Sequence, residues 1–125
     1  MTPSAAADAA PTSSAILDRL YAVIASRRDE RPAGSYVVRL LDGGVEAIGA
    51  KVLEEAQEVV DAAREEGDEA LAAEVADLVF HSWVALAARG VEPDRVYRVL
   101  AKRFGTGGLE EKAARHASSD SKEGR

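Results

Sequence analysis

Apolar residues recur along this chain with the period of an α-helix, and runs of glycine, proline or charge separate one such stretch from the next. The first stretch has apolar residues at Ile16, Leu17, Leu20, Val23 and Ile24, and it ends in the polar run 27–32. Ser35 is suited to cap a short helix that continues to Leu41 and stops at Gly43 and Gly44. The pattern therefore predicts one helix of several turns followed by a short one.

Three further helices are expected downstream. The second long helix spans 45–66 and ends at Gly67, and the third spans 69–89, with Asp68 as its cap. Pro93 suits the first turn of a fourth helix that continues to Phe104. After a glycine-rich loop, residues 109–115 have the length for one or two more helical turns. Because no stretch alternates as a strand does, we predict an all-α fold.

The chain of 125 residues has the length of one small domain. Residues 1–13 and 117–125 lack an apolar pattern and are expected to be disordered tails, which leaves 14–116 as the folded domain. A core of this size is marginal for one chain. We therefore expect a helical bundle that is built on a central antiparallel hairpin of the second and third long helices and completed by dimerisation.

Charge and composition exclude several classes of function. The net charge of −6 argues against nucleic-acid binding, which depends on neutralising phosphates with lysine and arginine. The N-terminus lacks the pattern of a signal peptide, and no stretch approaches the about 20 apolar residues of a membrane span. The absence of cysteine excludes disulfides and thiolate metal sites and fits a reducing compartment. We expect a cytoplasmic protein with no nucleic-acid or membrane partner.

Acidic residues on the second long helix are candidates for chemistry. At about 100° per residue, Lys51, Glu55 and Glu58 lie together along one flank of the apolar stripe of this helix. Glu54 lies about 40° beyond Glu58. One edge of the packing face thus carries a lysine and two or three carboxylates.

The third long helix carries its acids on an apolar background. Between Leu71 and Ala88 the ionisable residues are Glu74, Asp77 and His81, which fall within about 60° of one another. A buried carboxylate costs several kcal/mol unless it is paired or bound to a metal. A partner is therefore expected for these acids.

The hairpin brings the two acidic sets to the same height. Glu58 lies nine residues before Gly67, and Glu74 and Asp77 lie seven and ten residues after it. A set of oxygen ligands suits Mg²⁺ or Mn²⁺ rather than zinc. The alternative is that Glu55 and Glu58 form only a solvated helix face. The matching heights and the apolar surroundings favour the metal site.

These residues resemble the all-α nucleoside-triphosphate pyrophosphohydrolase superfamily, whose hallmark is EExxE followed by ExxD. Here EEAQE occupies 54–58 and EVAD occupies 74–77. The segments SY at 35–36, KVLEE at 51–55, DLVFH at 77–81 and GLEEKAAR at 108–115 resemble the phosphoribosyl-ATP pyrophosphatase family in particular. The chain departs from the usual family residues at Leu53, Phe80 and Gly107, where glycine, tyrosine and serine are common, and no departure removes an acid of the motif.

The resemblance implies hydrolysis of phosphoribosyl-ATP between its α and β phosphates, to phosphoribosyl-AMP and pyrophosphate, in the second step of histidine biosynthesis. Metal and carboxylates would activate a water molecule that attacks phosphorus. The implied metal ligands, for Mg²⁺ or Mn²⁺, are Glu55, Glu58, Glu74 and Asp77. The implied catalytic residues are Glu54, Glu55 and Glu58, with Glu54 as a further ligand or as the base. Candidates for substrate contact are Arg27, Lys51, His81, Arg103, Lys112 and Arg115.

Several of these residues also have simpler interpretations. His81 either contacts substrate or orients a ligand, or else it is a hydrogen-bonded core histidine. Lys112 and Arg115 either bind phosphate or only complement the dipole of a last helix. Phe80 and Trp83 are expected in the core. Tyr36 is expected to pack at the short helix.

Two other functions remain open from the sequence. A housekeeping pyrophosphohydrolase of the same superfamily, acting on other nucleoside triphosphates, shares the acids but does not account for the segment 103–115. A non-enzymatic helical interaction module with an acidic surface predicts that the carboxylates are dispensable for any chemistry.

Overall fold

Four helices make up most of the computed structural model, which describes residues 10–104. They are α1 (Ala15–Glu30), α2 (Tyr36–Glu65), α3 (Asp68–Ala88) and α4 (Asp94–Phe104). No strand occurs within 10–104, and the predicted all-α class is confirmed. The predicted last turns at 109–115, the tail 117–125 and most of the tail 1–13 lie outside the described residues.

The chain divides into two structural units, the first ending at Pro93 and the second beginning at Asp94. The first unit contains α1, α2 and α3, and α2 and α3 share its largest interhelical interface. The described part of the second unit is α4, in which Arg98 Nε lies 3.3 Å from Asp94 Oδ2 across one turn.

Helix α2 contains the two helices that were predicted in this region. Its N-cap is Ser35 as predicted, since the Ser35 side chain accepts a hydrogen bond of 3.3 Å from the Val38 amide. The helical backbone is interrupted at Gly44, whose φ of 71° and ψ of −164° are not helical, and it resumes and continues to Glu65. Glycine adopts such a positive φ without steric cost. The predicted interruption at Gly43 and Gly44 is therefore confirmed as a kink between two helical segments, which are numbered together as α2.

Helices α2 and α3 form the centre of the first unit. Only Glu66 and Gly67 connect them, so two helices packed along each other must run antiparallel. Gly67 rather than Asp68 is at the N-cap of α3, and Asp68 lies in the first turn, where a negative charge is favourable. This arrangement places Glu58 of α2 and Glu74 of α3 at similar distances from the connection.

The core of the first unit lies where α1 crosses the other two helices. The fully buried large side chains there are Ile24 of α1 and Val84 of α3. Trp83, predicted in the core, is buried and donates a hydrogen bond of 2.9 Å from Nε1 to the carbonyl of Leu17. Arg28 donates another, of 2.9 Å, to the carbonyl of Ala87 at the end of α3. These two bonds tie both ends of α1 to α3.

Helix α3 is long and apolar enough that its length and composition alone would permit a membrane span. It nevertheless carries Glu74 and Asp77, and its residues His81, Trp83, Val84 and Ala87 are buried within this chain. Both features are typical of the core helix of a folded protein. Only 22% of its most apolar window is buried by the described residues, however, and Val75 on this helix is 42% exposed.

Candidate metal and active site

Three carboxylates from α2 and α3 meet at one place. Glu55 and Glu58 lie about one turn apart on α2, and Glu74 faces them from α3. One oxygen of each lies within 4.8 Å of an oxygen of the other two. We call these three residues the acid cluster.

Burial makes the acid cluster costly without a bound cation. Glu55 is 6% exposed, and the oxygens Glu55 Oε2 and Glu74 Oε2 are buried without a hydrogen-bond partner among the described residues. A buried carboxylate oxygen that lacks a partner destabilises the fold by an amount comparable to a lost hydrogen bond. A hard divalent cation takes carboxylate oxygens as ligands. The donor set of the cluster therefore fits such a cation.

The electrostatics of the cluster lead to the same conclusion. The pKa of Glu55 is raised, chiefly because burial disfavours the ionised form and secondly because Glu58 is adjacent. The pKa of Glu58 is also raised, chiefly by the neighbouring Glu74 carboxyl. Full ionisation of these groups is thus opposed in the protein alone, and a cation at this position would remove the opposition.

Lys51 lies beside the acid cluster and is paired with Glu54. Its Nζ forms a salt bridge with Glu54 Oε2 and lies 3.7 Å from Glu55 Oε1. The pair lowers the pKa of Glu54 and raises the pKa of Lys51, in each case chiefly through the hydrogen bond between them. Glu54 therefore points towards Lys51 and is not one of the three converging carboxylates.

Asp77 lies near the acid cluster but is exposed. Its charge contributes to the raised pKa of Glu55. The structure thus places Asp77 within electrostatic reach of the cluster, and metal ligation by Asp77 stays a prediction.

His81 is buried, and both of its ring nitrogens have protein partners. Nδ1 lies 2.7 Å from the carbonyl of Asp77, and Nε2 lies 2.8 Å from the hydroxyl of Tyr36. A carbonyl only accepts, so Nδ1 carries a proton, and in the neutral imidazole Nε2 then accepts from the tyrosine hydroxyl. This is the arrangement of a hydrogen-bonded core histidine. Contact with substrate stays a prediction, and it would require Tyr36 to move.

Tyr36 has a larger role in the structure than its sequence position suggested. Besides its bond to His81, its ring stacks on Phe80 with centroids 6.1 Å apart and planes inclined by 16°. Arg39 covers the same ring, with its guanidinium carbon 5.7 Å from the centroid. The tyrosine and the histidine are 45 residues apart, and no local sequence pattern marks the pair.

The remaining candidates for substrate contact are described by the structure to different extents. Arg27 lines a different pocket, which is bounded by α1 and the start of α2. Arg103 belongs to α4 in the second unit. Lys112 and Arg115 lie outside the described residues. Of the two predicted cations in the first unit, Arg27 and Lys51, it is Lys51 that lies against the cluster.

Comparison with known proteins supplies the family. Residues 17–104 match the family described as phosphoribosyl-ATP pyrophosphohydrolase. The chain is 49% identical to a phosphoribosyl-ATP pyrophosphatase of Rhodopirellula baltica over 115 residues, which cover 89% of this chain and 95% of the relative. It is 51% identical over 100 residues to a protein of the same name from Trichlorobacter lovleyi, covering 80% and 93% of the two chains.

A longer relative matches over part of its length. The histidine biosynthesis bifunctional protein HisIE of Helicobacter hepaticus is 44% identical over 100 residues, which cover 80% of this chain and 43% of the relative. Three observations support the same family. Acids converge from the two central helices, the family match covers most of the described residues, and the two relatives that match over nearly their whole length have the same name. The resemblance inferred from the sequence is confirmed, and the chain belongs to the phosphoribosyl-ATP pyrophosphohydrolase family.

Proposed function

We propose that this protein is the phosphoribosyl-ATP diphosphatase of a cytoplasmic histidine biosynthesis pathway. It hydrolyses the bond between the α and β phosphates of phosphoribosyl-ATP and releases pyrophosphate. The observation that carries the proposal is the acid cluster, in which three carboxylates converge and two of their oxygens are buried without a hydrogen-bond partner within residues 10–104. The substrate is inferred from the relatives, which are named phosphoribosyl-ATP pyrophosphatases.

The acid cluster is proposed to hold Mg²⁺, with Mn²⁺ as a substitute. Glu55, Glu58 and Glu74 would supply oxygen ligands, and Asp77 a further one. Bound there, the cation supplies charge neutralisation for a triphosphate that the carboxylates alone would repel.

The chain's own residues do the rest of the work. Lys51 holds the positive charge nearest to the cluster and can pair with a phosphate oxygen. In doing so it would leave Glu54, whose carboxylate the lysine keeps ionised in the free protein. Glu54 is then free to accept a proton from a water molecule or to act as a further ligand.

The test is pyrophosphate release, measured with and without Mg²⁺, from phosphoribosyl-ATP and from a panel of ordinary and deoxy nucleoside triphosphates. We expect strong preference for phosphoribosyl-ATP and no release without a divalent cation. Asp77→Asn should lower turnover sharply, and Glu69→Gln, an exposed carboxylate on the same helix, should not. Activity confined to the nucleotide panel would assign the protein to the housekeeping branch, and no activity at all would favour an interaction module.

We also infer that the protein is a homodimer. Leu53, Val60 and Val75 expose 74%, 43% and 42% of their surfaces, and they lie on the two central helices. An apolar groove of about 610 Å³ extends along the same helices, lined by Val45, Ile48, Val52, Leu53 and Ala85. A second copy would remove this surface from water.

Light scattering gives the molar mass that tests the dimer. Val75→Glu should reduce the mass to that of one chain, because burying a lone charge in an apolar interface is costly. The matched change Ile16→Glu on α1, at a residue that is 37% exposed, should leave the mass unchanged. A monomeric wild-type protein would contradict the inference.

A further inference from the structure

A pocket separate from the acid cluster lies where the C-terminal half of α1 meets the start of α2. Its volume is about 380 Å³. Its walls include Val23, Arg27, Pro32, Ala33, Tyr36 and Phe80. It contains apolar, aromatic and cationic side chains, with none of the acids of the metal site.

The aromatic wall of this pocket is held in place. The Tyr36 and Phe80 rings stack at 6.1 Å, and His81 fixes the tyrosine hydroxyl at 2.8 Å. Planar aromatic surfaces that are fixed in this way suit a purine ring, which stacks on them at little entropic cost.

Arg27, the cation of the pocket, is unpaired in the part of the chain that the structure describes. Within residues 10–104 the Arg27 side chain makes no hydrogen bond or salt bridge, although its neighbours do. Arg28 pairs with Asp29 at 2.9 Å, and Arg31 pairs with Asp42 at 2.7 Å. An unpaired guanidinium at the wall of a pocket suits a phosphate, whose oxygens match its planar set of donors.

Tyr36 connects this pocket with the acid cluster. Its ring forms part of the pocket wall, and its hydroxyl bonds to His81, whose other nitrogen bonds to the backbone of Asp77. Asp77 is near Glu55 of the cluster. The pocket and the cluster are thus linked through Tyr36, His81 and Asp77, as the binding of one nucleotide at both places requires.

We propose that this pocket binds the end of the substrate that is remote from the triphosphate, with adenine against Tyr36 and Phe80 and the phosphate of the added phosphoribosyl group at Arg27. This assignment rests on the proposed function. It explains how a metal site that any nucleoside triphosphate could enter selects phosphoribosyl-ATP, since ATP has no phosphate at that end.

The first experiment compares kcat/KM for phosphoribosyl-ATP and for ATP at saturating Mg²⁺. Arg27→Gln should lower the ratio of the two values by about 10- to 100-fold, mainly through KM for phosphoribosyl-ATP, because a charge-assisted contact is lost. Arg64→Gln removes the same charge from an exposed position on α2 and should leave the ratio unchanged.

The second experiment measures binding without turnover. Calorimetric titration of the metal-free protein with phosphoribosyl-AMP and with AMP should show tighter binding of phosphoribosyl-AMP, and Arg27→Gln should abolish the difference. Val23→Trp, which fills the pocket from a residue that is 44% exposed, should weaken both ligands.

The two experiments separate this proposal from the proposed function. If the wild-type protein hydrolyses phosphoribosyl-ATP and Arg27→Gln keeps the wild-type ratio and preference, the pocket assignment is wrong and the function stands. If the wild-type protein releases no pyrophosphate from phosphoribosyl-ATP, the function is wrong. The titrations with phosphoribosyl-AMP and AMP still decide the pocket in that case.

Discussion

The two ends of the α2–α3 pair are built for different purposes. At the end remote from Gly67, α1 covers the pair, and Ile24, Ile48 and Val84 are buried with almost no exposed surface. Nearer to Gly67 lie the acid cluster and the exposed Val60 and Val75. One end stabilises the fold, and the other holds groups that destabilise it until a cation binds. Separating the two lets the protein tolerate an electrostatically unfavourable site.

The variant Glu55→Gln is the strongest test of this difference between the two ends of the α2–α3 pair. We expect turnover to fall by about 10²- to 10⁴-fold, since the change removes a charged oxygen that both metal and phosphate chemistry need. Thermal denaturation without metal should show equal or greater stability, because a buried charge beside like charges has been removed. Glu46→Gln, at an exposed residue of the same helix, serves as the control. If Glu55→Gln instead lost much stability without metal, the acid cluster would not be the destabilising end of the pair.

At the end of the α2–α3 pair remote from Gly67, we expect a variant to lose stability and to keep its activity. Ile24→Ala should lower the free energy of unfolding by about 2–5 kcal/mol, because it leaves a cavity at a residue with no exposed surface. Urea denaturation measures the loss, and kcat of the folded fraction should stay near the wild-type value. Ile16→Ala, at the exposed face of α1, should cost much less. If Ile24→Ala lowered kcat instead, the two ends would not be independent.

A smaller effect concerns pH. Since the pKa values of Glu55 and Glu58 are raised, the native protein binds more protons than the unfolded chain between the ordinary and the raised values. The stability of the metal-free protein should therefore fall as pH rises through that window. Mg²⁺ needs deprotonated ligands, so the rise in Tm that it causes should grow from about pH 5 to about pH 8. A shift of equal size at both values would speak against the cluster as the metal site.

The smallest effect expected is at the start of α2. Ser35→Ala removes the side-chain acceptor for the Val38 amide and should cost about 1 kcal/mol. Ser35→Asp, which can accept the same bond, should restore the stability in urea denaturation. Ser35 also precedes Tyr36, which lines the pocket between α1 and the start of α2. If Ser35→Ala changed KM but not the free energy of unfolding, the role of Ser35 would be to orient Tyr36 and not to stabilise the helix.

Much of the fold was predictable because helices leave a periodic signal. The apolar positions of α1, the cap at Ser35, the connection at Gly67 and the apolar character of α3 each located an element within a few residues. The interruption at Gly44 was also predictable, because a glycine pair is a common helix stop. The second helical segment resumes at once across a kink rather than after a loop, and this depends on tertiary packing that one sequence does not display.

The candidate site was predictable in part. The heights of Glu58 and Glu74 around Gly67 follow from helix geometry, and the structure brings these two residues and Glu55 together. The attachment of Glu54 to Lys51 and the bond between Tyr36 and His81 depend on side-chain directions and on contacts between distant segments. Such contacts carry no signature in spacing. The position of Arg27 in a separate pocket was beyond the sequence for the same reason.

The contacts of Arg28 lower the entropic cost of binding an anion at the adjacent Arg27. The hydrogen bond from Arg28 to the Ala87 carbonyl fixes the last turns of α1 against α3, and the bond from Arg28 to Asp29 within α1 holds the guanidinium in place. The adjacent Arg27 therefore extends from a backbone that is already immobilised. When an anion arrives, the conformational entropy lost is confined to the rotamers of one side chain, about 0.5–1.5 kcal/mol, instead of the larger cost of ordering a loop. Of these two neighbouring arginines, Arg28 thus anchors the helix, and Arg27 is left to contact the anion.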